Sequence, residues 1–196
     1  MEQKKTTYKK SAQTKERIFA SAIAIMKEVG YQGATIRGIC SRAKVSPATF
    51  YSYYESKSDL LQGFFHNSDH YFGNDLYRRL EGKDFYEQYR EYVLAYAQLN
   101  IDTGLDAMRV LYNPENNWFS DYRPMQATLE LILNNGKRKG ILPAGIVTDE
   151  CVSSIFILLR GVCFDWCIYN GCYDLKNVML EHAELLLRGL IESAQI

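Results

Sequence analysis

The sequence predicts an all-α protein of about nine helices, with a three-helix helix-turn-helix domain at the N-terminus and a larger helical domain after it. Apolar residues recur at helical spacing along most of the chain. A short helix opening at Ser46-Pro47 follows another short helix after a tight turn, and basic residues concentrate in the first 60 positions. Four prolines and 13 glycines among 196 residues are too few for a turn-rich β protein.

The chain opens on a polar, basic stretch, residues 1–13, which we predict to be a flexible arm. Such an arm either keeps the protein soluble or adds to its nonspecific attraction to DNA phosphates. A helical period begins at Thr14 and ends at Gly30, which suits the C-terminus of a helix. The apolar face of this helix carries Ile18, Ala22, Ile25, Met26 and Val29.

Residues 35–61 predict two short helices joined by a turn at Lys44-Val45. Thr35 and Ser46 are good N-cap residues for the two helices. Pro47 stands at a first helical position, where its missing N–H costs no hydrogen bond.

The second short helix mixes small, hydroxyl and aromatic side chains over barely two turns. Phe50 and Tyr54 are four apart and are predicted to face the three-helix core, which leaves Thr49 and Tyr53 to face outward with Ser46. A helix with these side chains is suited to lie against the surface of another molecule, and the major groove of DNA is one such surface.

Charge divides the chain in two, although its formal net charge is zero. Residues 1–60 hold eleven Lys and Arg against five Asp and Glu, an excess of six positive charges that the remaining residues balance. A basic N-terminal part on an acidic body is expected when one end meets phosphate and the other does not.

Over roughly a quarter of its length, from Thr14 to Phe65, the chain resembles the TetR family of bacterial transcriptional regulators. Two positions depart from the family pattern: Lys44 stands where the family usually has Gly, and Tyr54 where it often has Phe. The resemblance is carried by Gly30 and by the runs Gly33–Ile39, Ala43–Tyr54 and Glu55–Leu61.

This resemblance implies a helix-turn-helix DNA-binding domain at about residues 14–55 and a ligand-sensing, dimerising domain at 56–196. It also implies DNA contacts from Thr35, Arg37, Ser46, Ala48, Thr49, Tyr51, Tyr53 and Lys57. The chemistry of the side chains makes a similar selection: Tyr51 and Lys57 suit phosphate, and Arg37 suits guanine. Each of these residues could instead be a solvated surface side chain.

A longer helix is predicted from Ser56 to about Leu80, because Ser56 and Asp59 have the spacing of a capping box. His66 and His70 are four apart on it, with Asp69 between them. They could begin a metal site, but the spacing identifies no third ligand, so we expect ordinary surface or hydrogen-bonded histidines and no metal.

A stripe of aromatic residues, Phe85, Tyr89, Tyr92, Tyr96 and Leu99, steps by three and four along the next helix. The stripe is either a packed core face or the wall of a ligand cavity, because a buried tyrosine hydroxyl needs a partner. The candidate effector-binding residues are Tyr89, Tyr92, Tyr96, Trp118, Met125, Leu129, Arg160 and Asp165.

Helices are also predicted at Gly104–Leu111, Tyr122–Lys139 and Val147–Tyr169, with a final helix capped by Asp174. The helix at Val147–Tyr169 is apolar nearly all round, which favours burial against a second subunit. Arg160 and Asp165 interrupt it and need partners, either across a dimer or in a pocket. The candidate dimer-interface residues are Cys163, Trp166, Val178, His182, Leu185 and Gly189.

The five cysteines form no disulfide framework, and we expect a reducing cytoplasm and no membrane span. The predicted function is sequence-specific DNA binding by a homodimeric repressor that a small effector releases from its operator. We expect this operator to be a palindrome in double-stranded DNA. An alternative is a regulator controlled by a protein partner or without an effector. An enzyme using the tyrosine-lined region is a remote alternative, since no nucleophile–base pair or phosphate loop is apparent, and no cofactor is expected.

Overall fold

Nine α-helices and no β-strand are present in the described residues of the computed structural model, which confirms the all-α prediction. The structure describes residues 2–61, 68–112 and 122–192, with the backbone alone for residues 2–10. The chain forms two compact units, Met1–Phe65 and His66–Ile196. The helices are α1 (Glu2–Gly33), α2 (Ile36–Ala43), α3 (Pro47–Tyr51), α4 (Tyr77–Leu80), α5 (Phe85–Thr103), α6 (Leu105–Leu111), α7 (Pro124–Arg138), α8 (Thr148–Ile168) and α9 (Leu175–Glu192).

The first helix begins at Glu2, so the stretch predicted as a flexible arm is helical and the predicted start at Thr14 is wrong. The physical reason is composition: the stretch is rich in Lys and Gln, which are good helix formers, and no Gly or Pro stops the helix before Gly30. Gly30 itself leaves helical geometry, with φ 74° and ψ 167°, and breaks α1 where the sequence predicted its end.

The helix-turn-helix segment forms through the predicted caps. Thr35 Oγ1 accepts the N–H of Gly38 at 3.1 Å, and Ser46 Oγ accepts the N–H of Thr49 at 3.0 Å. Between the two helices Lys44 adopts the left-handed conformation, with φ 53° and ψ 49°. A glycine would adopt this conformation without steric cost, whereas a lysine does not.

The core of the N-terminal unit is small and lies between α1, α2 and α3. Phe50 is fully buried and Tyr54 is 5% exposed, so both face inward as predicted. Arg17 Nε donates to the Ala43 carbonyl at 2.9 Å and so satisfies the last turn of α2. The buried cluster comprises Ile18, Ala22, Ile39, Cys40, Ala43, Phe50, Tyr54 and Leu60.

The predicted capping contact after α3 forms, but the α-helix predicted to start there does not. Ser56 Oγ accepts the N–H of Asp59 at 3.1 Å, and Asp59 in turn accepts the N–H of Glu55 at 3.0 Å. The next residues, Asp59–Leu61, form a single 3₁₀ turn. Residues 62–67, with His66, lie outside the described residues, and the helix that follows contains a π-helical stretch at Tyr71–Leu76.

In the C-terminal unit α5 is the central helix and packs against α9 and α7. The aromatic stripe predicted on α5 faces inward, with Phe85, Tyr89, Tyr92 and Tyr96 all buried. Gly136 on α7 permits this packing, because a Cβ atom there would lie only 2.6 Å from the Phe85 ring.

The other helices predicted in this unit are present as α6, α7, α8 and α9. Asp174 accepts the N–H of Lys176 at 2.9 Å at the start of α9. In the described residues α8 is the one helix whose length and composition would also suit a membrane span, and half of it is buried in the protein. The same properties are common in core helices of soluble proteins, so this is weak evidence for a membrane.

Replacing Lys44 with glycine should relieve the left-handed backbone at the turn. We expect Lys44→Gly to raise the unfolding free energy of the N-terminal unit by about 0.5–1 kcal/mol. Hydrogen exchange of the Ile39 and Cys40 amides measures this. The control Lys44→Ala removes the charge and keeps the conformation, so equal protection in the two variants would contradict the explanation.

Candidate DNA-binding surface and effector region

The outer face of α2 and α3 carries six of the eight residues proposed to meet DNA. Tyr51 is 55% exposed. Arg37 is also exposed, and Thr49 is half-buried. We call this set the reading surface; it comprises Thr35, Arg37, Ser46, Ala48, Thr49 and Tyr51.

Two hydroxyl groups of the reading surface are already paired. Ser46 Oγ and Thr49 Oγ1 lie 2.8 Å apart, while Ser46 also caps α3. A contact from either hydroxyl to a base must therefore share or replace this pair. Arg37 offers the largest set of donors on the reading surface, and its fork of N–H groups matches guanine or phosphate.

Tyr53 does not lie free on the outer face as predicted. Its ring is half-buried against the N-terminal core, and its hydroxyl lies 3.2 Å from Ser11 Oγ on α1. The physical reason is that α3 ends at Tyr51, so helical spacing from Thr49 no longer determines where Tyr53 points.

Lys57, predicted to contact phosphate, makes two contacts inside its own unit. Its ammonium donates to the Tyr31 carbonyl at 2.7 Å and lies 4.2 Å from the centre of the Tyr31 ring. Burial lowers the pKa of Lys57 below its ordinary value. An ammonium group has three protons, so a phosphate contact stays a prediction for this residue.

The first part of the aromatic stripe is a packed core face. Tyr89 donates its hydroxyl to the Ala183 carbonyl at 3.0 Å, and Tyr92 donates to the Met125 carbonyl at 2.8 Å. Burial raises the pKa of both phenols. These bonds tie α5 to α9 and α7, and with Leu129 fully buried beside them they favour the core interpretation here.

The second part of the stripe differs, because it brings several polar groups together. Tyr96 packs edge-on to Phe156 at 5.7 Å, and the Arg160 guanidinium lies 5.4 Å from the same ring. Burial raises the pKa of Tyr96 and of Tyr112, and Arg160 opposes the rise at Tyr96. Burial also raises the pKa of the Cys163 thiol to about 12. We call Tyr96, Tyr112, Arg160 and Cys163 the inner polar cluster.

Sequence reasoning found only part of this cluster. It named Tyr96 and Arg160 as effector candidates but not Tyr112, which lies off the α5 stripe at the end of α6. Asp165, also named, is exposed and accepts a hydrogen bond from Tyr173 at 3.0 Å, so it does not join Arg160 inside the subunit. Trp118 lies outside the described residues.

A surface groove between the π-helical stretch and α7 was not predicted. It has a volume of about 520 Å³ and is lined by Gly73, Tyr77 and Leu131 among others. Asp69 and Arg123 form an ion pair in its wall at 2.7 Å. The described residues hold no group of three metal-ligating side chains, and His70 lies exposed, 3.7 Å from Asp75.

The residues proposed for a dimer interface divide into two groups. Cys163 and Trp166 are buried in the subunit's own core, so their side chains offer a partner little accessible area, and an interface role stays a prediction for them. The outer side of α8 and α9 is apolar instead. On α8 it carries Ile157, Gly161, Phe164 and Ile168, and on α9 it carries Val178, His182, Leu185 and Gly189.

Comparison with known proteins identifies the N-terminal unit. Residues 18–63 match the family model described as bacterial regulatory proteins, tetR family. A 48-residue stretch is 42% identical to an uncharacterized HTH-type transcriptional regulator of Mycobacterium tuberculosis. That match covers 24% of this chain and only 22% of the length of the mycobacterial protein.

Two further proteins are similar over nearly the whole chain. The uncharacterized HTH-type transcriptional regulator YvdT of Bacillus subtilis is 27% identical over 186 residues, covering 87% of this chain and 90% of YvdT. The crystal structure of Thermus thermophilus FadR, a TetR family transcriptional repressor in complex with lauroyl-CoA, shares the fold. It superposes with a TM-score of 0.70 at 23% identity, covering 90% of this chain and 94% of FadR.

Removing the Tyr92 hydroxyl should destabilise the C-terminal unit, because the buried hydrogen bond that it donates to the Met125 carbonyl is lost. We expect Tyr92→Phe to lower the unfolding free energy by about 1–3 kcal/mol in urea denaturation. The exposed Tyr86 provides the matched control, and Tyr86→Phe should change stability by less than about 0.5 kcal/mol. Equal losses in the two variants would mean that the hydrogen bond contributes nothing.

Proposed function

Because the chain belongs to the TetR family of bacterial regulatory proteins, we propose that it is a homodimeric repressor released from its operator by a small-molecule effector. Regulators of this family bind operator DNA, dimerise and bind effectors such as acyl-CoA. The observation that carries the proposal is the reading surface, which stays exposed above the buried Phe50 and Tyr54. Its residues are held by the two helix caps at Thr35 and Ser46.

The reading surface supports recognition in the major groove. The short helix α3 exposes Ala48 and Tyr51, and α2 exposes Arg37. Arg37 can donate two hydrogen bonds to one guanine, while Ala48 can contact a thymine methyl group. In a dimer, two copies of α3 roughly 34–36 Å apart would meet successive major grooves of a palindromic operator.

The outer side of α8 and α9 supports dimerisation through a four-helix contact. Leu185 is 62% exposed and Ile157 is 71% exposed, although both are large and apolar. A Cβ atom at Gly161 or Gly189 would meet nothing within 4 Å in its own chain, so the backbones of two partner helices could approach closely there. Burial of such a surface is the usual source of stability in symmetric dimers.

The inner polar cluster supports an effector site in the C-terminal unit. The Arg160 guanidinium and the Tyr96 ring pack against Phe156, and Tyr112 packs against the half-exposed Phe164, so polar groups and aromatic rings meet here as they do in small-molecule sites. An effector bound there would act by favouring a state with lower DNA affinity. The lauroyl-CoA bound by the similar FadR makes that compound the first effector to test.

A regulator without a small effector is the second candidate. The observation in its favour is that Tyr89 and Tyr92 already donate to main-chain carbonyls, so this part of the stripe offers a ligand no hydroxyl. Such a regulator would respond to a protein partner or to its own concentration.

Loss of the reading surface should abolish specific DNA binding without unfolding the protein. The probe is the duplex that the wild-type protein selects from a random-sequence library, which we call the selected operator. Arg37→Ala and Tyr51→Ala should each weaken binding at least about tenfold in fluorescence anisotropy. Affinity should also fall steeply with salt, because lysine and arginine contacts release counterions.

Arg78→Ala is the control for these variants, because Arg78 is exposed on α4 in the other unit. It should bind the selected operator as the wild type does. Full affinity in both Arg37→Ala and Tyr51→Ala would remove the helix-turn-helix proposal. Lauroyl-CoA added to the wild-type complex should release DNA if the effector is an acyl-CoA, and its failure favours another effector or none.

A charge on the outer side of α9 should separate the subunits. Leu185→Asp should turn a dimer into a monomer in sedimentation velocity, because the partner helix would bury an unpaired carboxylate. Leu131→Asp is the matched control, since Leu131 is 46% exposed on α7. A Leu185→Asp protein that sediments as the wild-type dimer would place the interface elsewhere.

A further inference from the structure

The helix that runs through α4 has an unusual pattern of burial. Between Ser68 and Leu80 the buried residues are Ser68, Phe72, Leu76 and Leu80, each four positions after the last. In an α-helix four residues turn about 40° beyond a full circle, so three such steps would move the stripe about 120° off the core. The buried pattern therefore does not suit a continuous α-helix.

The π-helical stretch Tyr71–Leu76, hereafter the π segment, resolves this mismatch. Its i→i+5 bonds make a wider turn, so each residue rotates less and the drift of the four-residue spacing is reduced. Phe72 can then pack against Tyr92 at 5.3 Å and Tyr96 at 6.5 Å, while Leu76 is fully buried as well. The wider turn of the π segment therefore explains how residues spaced by four can all face the core.

A side chain of α7 supports this wider turn. Thr128 is buried, and its hydroxyl lies 3.0 Å from the Phe72 carbonyl inside the π segment. The same hydroxyl lies 3.0 Å from the Pro124 carbonyl one turn earlier in α7. A hydroxyl group has one proton, so a bond to Phe72 competes with a bond to Pro124.

Three more contacts hold the π segment and the residue Asp69 before it against the start of α7. A Cβ atom at Gly73 would lie 3.3 Å from Pro124 Cβ, so the two backbones approach closely there. Arg123 Nε and Nη2 donate to the two carboxylate oxygens of Asp69 at 3.1 and 2.7 Å. All of these contacts depend on the present register between the helix and α7.

We propose that the π segment is a two-register switch that controls affinity for the operator. Conversion of the π segment to α-helix would remove its one-residue excess and rotate the chain before it by about 100°, with a shift of about 1.5 Å, relative to Leu80. That chain leads back to the helix-turn-helix unit. The switch rests on the proposed function and gives it a mechanism: an effector changes DNA affinity by favouring one register.

The two registers can be imposed separately by mutation. Gly73→Cys with Pro124→Cys places two Cβ atoms near the short end of the disulfide range of about 3.5–4.5 Å, so oxidation locks the π register. Gly73→Ala with Asn74→Ala keeps the chain length, raises helix propensity and removes the bond from the Asn74 side chain to the His70 carbonyl at 3.1 Å, so it favours the α register. All variants carry Cys172→Ser, because Cys172 is the exposed native cysteine among the described residues.

The selected operator then reports on the coupling. The oxidised lock and the Gly73→Ala, Asn74→Ala variant should change the operator Kd in opposite directions, each by about tenfold or more. Reduction of the locked protein should restore the wild-type value. Wild-type affinity in both imposed registers would overturn the switch, while failure of the wild type to select any DNA would instead overturn the proposed function.

A measurement without DNA tests the switch itself. Thr128→Val removes the hydroxyl at nearly constant shape, whereas Thr128→Ser keeps it. Amide hydrogen exchange in residues 68–80 should be faster by about tenfold in Thr128→Val and close to wild type in Thr128→Ser. Equal exchange in the two variants would show that the Thr128 hydroxyl does not hold the π register, and would overturn the switch whatever the DNA results.

Discussion

The hydrogen bonds that buried tyrosines donate to main-chain carbonyls organise the larger unit. Tyr89 reaches a carbonyl of α9 and Tyr92 a carbonyl of α7, so the central helix α5 is fixed to two neighbours by one stripe. A buried phenol hydroxyl usually has a hydrogen-bond partner, and a carbonyl at a helix position tolerates an extra donor. These two hydroxyl groups therefore help to hold α7 and α9 against α5, and the Tyr92 ring also packs against Phe72.

Much of the fold could be predicted from local sequence signals. The caps at Thr35 and Ser46, the inward pair Phe50 and Tyr54, and the buried α5 stripe all rest on interactions within a few residues or on a regular period. The family resemblance then identified the helix-turn-helix unit. Such signals predict the structure correctly because they do not depend on which elements pack against the segment.

Other features depend on neighbours that the sequence does not reveal. The helix α1 extends through the predicted arm because no Gly or Pro ends it there. The direction of the Tyr53 side chain depends on the early end of α3 at Tyr51. Cys163 and Trp166 look like interface residues on an all-apolar helix, yet burial against α5, α6 and α9 selects which side faces outward. The inner polar cluster combines residues from three helices, so no single period could predict it.

The ammonium of Lys57 has a consequence that extends beyond its own position. It holds the Tyr31 carbonyl one residue after the break in α1 at Gly30, and it lies over the Tyr31 ring. A DNA phosphate bound to the Lys57 ammonium would compete with the Tyr31 carbonyl for the ammonium protons. Its negative charge would also raise the pKa of Lys57, against the lowering that burial causes. Binding of a DNA phosphate and the backbone geometry at the Gly30 break in α1 would then be thermodynamically linked through the Lys57 nitrogen.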